Sequence, residues 1–229
     1  MAKRVNDMGQ PVGWPVTLEL PRPAPERVRL AGRFCSVVPL DAEAHGAALW
    51  QAFSQDALGA NWTYLPIGPY AFEADFLAFL SAAEASADPL YFTVLNGEGR
   101  AVGHATFLRI DPANGVIEVG FIHFSPLMQR TPMSTEAMYL MMHYVFETLG
   151  YRRYEWKCDA LNAPSVAAAK RLGFTFEGVF RQAVVYKGRN RDTAWLSVID
   201  GAWPALKARF ERWLDPGNFD TEGRQKASL

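Results

Sequence analysis

Three apolar segments in the middle of the chain are separated by two short turns, and that spacing leaves little freedom in how they fold. Residues 90–95 and 101–110 flank Asn96-Gly97-Glu98-Gly99, and the turn at 111–115 leads into a third segment at 116–124. Glycine and asparagine supply the backbone angles of a tight reversal, so an antiparallel meander is expected. Helical patterns precede it. Asp41 is placed to cap a helix through Ala47, Leu49, Trp50 and Phe53. Phe72, Phe76, Leu77, Phe79 and Leu80 then recur at helical spacing up to about Ala83. Earlier still, residues 28–38 have the β-branched alternation of a first strand.

Beyond the meander, a mostly apolar helix from about 132 to 149 is closed by Gly150, and residues 153–158 read as a strand. Ala163-Pro164 opens a further helix that Gly173 closes, with proline just inside the start and glycine just past the end. A hairpin of residues 176–186 and 192–199 and an amphipathic helix from about 203 to 213 complete the pattern. This order predicts a mixed α/β (α+β) fold, not a doubly wound one: a central mixed sheet flanked by helices. Residues 1–27, with Pro11, Pro15, Pro21, Pro23 and Pro25, form an arm expected to lie over the surface of a domain spanning 28–214. The polar tail at 215–229 is expected to fray.

Hydrophobic residues make up 49% of the 229-residue chain and charged residues 21%, enough apolar side chain for one large core. The net charge of −1 is scattered, so nucleic acid is not an expected partner. No apolar run is long enough to span a membrane and no h-region follows the first residues, which predicts a cytoplasmic protein. Cys35 and Cys158 are far apart in apolar runs and read as free buried thiols. His45, His104, His123 and His143 lack metal-ligand spacing, and no metal is expected.

The stretch NAPSVAAAKRLGFTFEG, Asn162 to Gly178, resembles the N-x-x-S, K-x-L-G-F and E-G signature of GNAT acetyltransferases, and within them the RimJ/RimL-like subgroup. The resemblance implies a GNAT-like, mostly antiparallel sheet whose fourth and fifth strands splay apart, leaving backbone groups near Phe121, Ile122 and His123 to hold the pantetheine of acetyl-CoA. Upstream, IEVGFIHFSPLMQRTPMSTEA is similar to the family's fourth strand, pyrophosphate loop and following helix, which assigns Gln129, Arg130, Thr131, Met133, Ser134 and Thr135 to the cofactor. Here the chain departs from the usual Q/R-x-x-G-x-G/A, because Pro132 and Ser134 replace the small flexible residues. Unpaired N–H groups at a helix start still attract phosphate, with Thr131 as a capping residue and Arg130 adding charge.

By the same resemblance Asn162 holds the pantetheine arm, and Ser165 stands near the CoA sulfur as proton donor. A tyrosine found in many relatives is replaced here by Ala169, on the cofactor side. Glu118, in an apolar strand, is the candidate base, since burial raises a carboxyl pKa, and His123 is the alternative. The plainer readings are a Glu118 paired with an arginine and a packed His123. The two residues are five apart, so a regular strand sends them to opposite faces, and only a bulge, at Gly120, would bring them together. Family analogy puts the acceptor pocket at Trp62, Tyr64, Arg181 and Asp192. The implied activity is acetyl-CoA-dependent N-acetylation of a primary amine, a protein N-terminus or a small amine or amino acid, by direct attack in a ternary complex. Homodimers are frequent in the class. An inactive CoA-binding or protein-interaction module with the same fold is the competing reading, motivated by Pro132, Ser134 and Ala169.

Overall fold

The computed structural model describes residues 4–229, so the first three residues of the arm lie outside the described residues. The elements run β1 (Leu30–Ala31), β2 (Cys35–Pro39), α1 (Ala42–Phe53), α2 (Glu73–Ala85), β3 (Leu90–Asn96), β4 (Ala101–Asp111), β5 (Val116–Phe124), α3 (Pro132–His143), β6 (Arg153–Asp159), α4 (Ala163–Arg171), β7 (Thr175–Tyr186), β8 (Arg189–Ile199) and α5 (Trp203–Leu214). All eight strands join one sheet in the order β1-β2-β3-β4-β5-β6-β8-β7. Every neighbouring pair is antiparallel except β5 and β6. The sheet is therefore mixed and mostly antiparallel, as expected, and the family's fourth and fifth strands are β5 and β6 here.

Alternation along the strands feeds two cores. Phe92, Phe107, Ile117 and Val119 enter the larger one, shared with α3, α4 and α5, while Tyr91 joins α1 and α2 in the smaller. Fully buried side chains such as Phe107 and Ile117 each contribute about 2 to 3 kcal/mol of transfer free energy. Asp41 caps α1 by accepting from the Ala44 N–H at 2.8 Å. The apolar pattern at 132–149 is not one uniform helix: α3 gives way to a π turn over Tyr144–Thr148 before Gly150 ends it.

The first strand is broken as well. Residues 32–34 leave the ladder because the buried carboxylate of Glu136 on α3 accepts from the backbone N–H groups of Arg33 at 2.8 Å, Phe34 at 2.6 Å and Cys35 at 2.9 Å. Gly32 permits this approach, since a Cβ there would sit 2.4 Å from the carboxylate. No local pattern announces such a contact between residues about a hundred positions apart.

The arm lies along the domain through Arg22, which donates from its backbone N–H to Pro112 O and from Nε to Leu149 O. The C-terminal tail does not fray. Trp213 Nε1 donates to Gln225 at 2.9 Å, and the Phe219 ring packs edge-on against Phe34 and Trp213, so apolar anchors hold a segment that its polar composition suggested was free.

Replacing Glu136 with alanine is expected to orphan three backbone donors and lower the unfolding free energy by about 3 kcal/mol, read as a reduced urea midpoint.

Candidate active site

The parallel ladder between β5 and β6 covers only Val116 to Val119 against Arg153 to Trp156. Beyond that point the strands part. On the other side of β5 the register against β4 shifts between Gly120, opposite Thr106, and His123, opposite His104. The extra residue is absorbed at Phe121, whose φ of 45° lies in the left-handed region. Because His104, Thr106 and Leu108 share one face of β4, their partners His123, Gly120 and Glu118 share one face of β5. The bulge thus falls at Phe121, one residue past Gly120, and puts Glu118 and His123 on the same side.

Two cavities meet at the gap. One of about 240 Å³ is walled by Tyr64, Glu118, Phe121, Lys157, Tyr186 and Arg191, and another of about 550 Å³ runs past Gln129, Arg130, Ser134, Thr135 and Arg171. Asn61, Ile122, Trp156, Asn162 and Ser165 line both, so they form one channel passing through the sheet. The loop beside the smaller chamber is strapped to its neighbours: Lys187 Nζ donates to Trp62 O at 2.7 Å, and the Tyr64 hydroxyl to Leu161 O at 3.2 Å.

At the α3 end, Thr131 does not cap the helix. Its hydroxyl turns back to Met128 O at 2.7 Å, and Ser134 Oγ donates to Thr131 O at 2.8 Å, so the first N–H groups of α3 keep no side-chain partner. Those donors and the Arg130 and Arg171 guanidinium groups favour an anion there. Arg171, held by a 2.9 Å bond to Thr135 Oγ1, was not singled out from sequence, although it stands within the K-R-L-G-F segment. Met133 and Ala169 do not line the channel: Met133 packs on the larger core and Ala169 is fully buried in it.

At the crossing, Asn162 is the N-cap of α4, accepting from Ser165 N at 3.1 Å through Oδ1 and leaving its Nδ2 group as a donor. Trp156 Nε1 donates to Ser165 Oγ at 2.9 Å, so the serine keeps its own hydroxyl proton to give. Glu118 is not the isolated buried carboxyl expected from its apolar strand. Its Oε2 receives Arg109 Nη1 at 2.6 Å and Lys157 Nζ at 2.9 Å, while Oε1 takes no bond from the described residues. Lys157 also meets Glu155 at 2.7 Å, and Glu155 meets Arg153 at 2.7 Å, giving a row of alternating charges across β5 and β6.

His123 borders the larger cavity but is packed among aromatic rings. Its ring stacks on Phe53 at 3.9 Å, meets the edge of Trp62, and has no hydrogen-bond partner for either nitrogen. Burial, then the nearby His104, pushes its pKa down to about 2, and burial pushes that of His104 down to about 4. Trp62 is likewise a core residue, 5% exposed, while its loop neighbours Asn61, Tyr64, Leu65 and Pro66 reach the cavity. Arg181 and Asp192 also stand outside the cavity lining. Asp192 is occupied in holding the hairpin, accepting from Gln182 N at 2.7 Å and Asn190 Nδ2 at 3.0 Å.

A mixed sheet parted between two parallel strands, with a channel through the gap and an open helix start at one mouth, is the architecture of a GNAT-type acyltransferase. Residues 37–175 match the acetyltransferase (GNAT) domain, well over half of the chain, and the chain belongs to that family. A GCN5-related N-acetyltransferase from Brucella melitensis has a similar structure, with a TM-score of 0.91 and 50% identity over 93% of this chain and 97% of that one. The uncharacterized N-acetyltransferase YnaD of Bacillus subtilis (strain 168) is 24% identical over 67% of this chain and 89% of its own. The ribosomal-protein-serine acetyltransferase of Escherichia coli (strain K12) is 30% identical over 38% of this chain and 48% of its own, a likeness in line with the RimJ/RimL-like subgroup. Among the described residues, no helix is long and apolar enough to cross a membrane, and no cluster of His, Cys, Asp or Glu could hold a metal.

The two buried histidines set a pH dependence. Their pKa values in the folded protein lie below the ordinary 6.5, so the unfolded chain takes up protons first as pH falls. Their stabilising effect is full above about pH 6.5 and declines as pH falls, toward about 4 for His104 and about 2 for His123. Urea titrations at stepped pH should show this loss, and a shallower one in His123→Phe, which keeps a ring in the stack.

Proposed function

We propose that this chain is an acetyl-CoA-dependent N-acetyltransferase that acts on a primary amine by direct transfer in a ternary complex. The observation that carries this reading is the channel through the sheet, with Ser165 where its two chambers join and Glu118 in the wall of the smaller one. Acetyl-CoA, when bound, supplies the acetyl group as an activated thioester and departs as the thiol.

The residues fit such a cofactor. The open N–H groups of α3, with Arg130 and Arg171, hold its phosphates, and Asn162 Nδ2 donates to the pantetheine arm. Backbone groups of residues 120–124, released from β6 where the ladder stops, are available to polarise the thioester carbonyl. Glu118 takes, at Oε1, directly or through a water, the proton that the acceptor's ammonium must lose before the neutral amine attacks. The Ser165 hydroxyl, fixed by Trp156, gives a proton to the departing sulfur and recovers one from solvent. Arg109 and Lys157 hold the Glu118 carboxylate in place from its other oxygen.

Three variants test the assignment. Asn162→Ala should weaken acetyl-CoA binding in calorimetric titration. Glu118→Gln and Ser165→Ala should bind acetyl-CoA normally and lose about 100-fold in kcat, followed as thiol release with an amine acceptor. Unchanged kcat in both would sink their proton-transfer roles.

A further inference from the structure

The smaller chamber is lined by three cations, Arg109, Lys157 and Arg191, and by one carboxylate, Glu118. Two of the cations are already engaged. Arg109 lies on Glu118, and Lys157 lies between Glu118 and Glu155 with its ammonium 3.8 Å from the Trp195 ring centre. Arg191 stands apart. None of the ion pairs among the described residues includes it, and its Nε is buried with no hydrogen-bond partner. A buried N–H without an acceptor is costly, and an incoming acceptor would remove that cost.

Arg191 stands in the chamber wall. It lies opposite Val184 in the β7–β8 register, and its guanidinium is 5.9 Å from the Tyr186 ring centre. Val184 and Tyr186 line the same chamber, and the Tyr186 hydroxyl is anchored on the buried Asp159 at 2.9 Å. The chamber therefore presents a free carboxylate oxygen on Glu118, suited to an ammonium group, and an unpartnered guanidinium fork, suited to a carboxylate. Its volume of about 240 Å³ and the straps at Lys187 and Tyr64 suit a small molecule better than a polypeptide chain.

Resting on the acetyltransferase reading above, we infer that the acceptor is a small amine that also carries a carboxylate, an amino acid, and that Arg191 grips this carboxylate while Glu118 receives the amine. A carboxylate held bidentately fixes the acceptor at two ends, so the nitrogen meets the thioester in one orientation. Arg191 is thus a specificity-determining residue for the acceptor.

The test compares free α-amino acids with their own carboxamides, serine against serinamide and leucine against leucinamide, by kcat/KM with acetyl-CoA. The wild-type protein should favour the carboxylate of at least one pair by about tenfold or more. Arg191→Met should erase that preference and Arg191→Lys restore part of it, while Arg212→Met, which removes an exposed charge on α5, should leave it intact. Calorimetry of the protein with CoA present gives a second readout: the preferred amino acid should bind wild type more tightly than Arg191→Met. Equal use of acids and amides by the wild type, or a preference that survives Arg191→Met, would overturn the inference while leaving the acetyltransferase reading in place. Faster acetylation of a short peptide N-terminus than of any amino acid would overturn it also. If no amine of any kind is acetylated, the acetyltransferase reading itself fails and this inference fails with it.

Discussion

The early end of the β5–β6 ladder is the constraint on which everything else in this molecule rests. After four paired residues the strands separate, and the backbone of β5 past Val119 loses its partner on that side. An unpaired strand edge inside a sheet is costly unless something else claims its donors and acceptors. Here the parting opens a channel, and the chain surrounds it with the N-terminus of α3, the capped start of α4 and the bulge at Phe121. The irregular backbone and the functional groups lie at the same place because an unbroken ladder would leave no room for a thioester.

A row of charges runs from the channel wall across the sheet. Arg109, Glu118, Lys157, Glu155, Arg153 and Glu177 alternate in sign from β4 across β5 and β6 to β7. The inner members, Glu118, Lys157 and Glu155, are buried, and removing any one of them would strand another, while Arg109 and Glu177 at the ends reach solvent. Glu177 is held near pKa 2 mainly by its hydrogen bond from Arg153. The same logic separates Glu118 from His123: they share a face, but one is dressed with cations beside the cavity and the other is sealed in an aromatic stack. Of the charged groups lining the chamber, Arg191 is the exception to the pairing, which is why it speaks about the acceptor.

Much of the fold was legible in the chain. The turns at 96–99 and 111–115, the Asp41 cap and the Pro164–Gly173 helix all rest on contacts within a few residues, where sequence spacing and geometry are nearly the same thing. The site was legible in part, through the N-A-P-S and K-R-L-G-F segment and through Glu118 as a carboxylate in an apolar strand. Arg171 and Arg191 were not, because each looks like an ordinary surface arginine until the fold shows what lies beside it. The break at 32–34 and the anchored tail were hidden for the same reason, since Glu136 and Trp213 act across distant parts of the chain.

The sequence by itself determined the order of strands and helices, the mixed sheet and the family, because local periodicity, turn chemistry and motif spacing are properties of neighbouring residues. Only the tertiary structure decided which charges are spent and which are free. Glu118 meets Arg109 nine residues away and Lys157 on another strand, while Arg191 meets no anion at all among the described residues. Electrostatic pairing depends on distances of a few ångströms in space, and separation along the chain does not encode them.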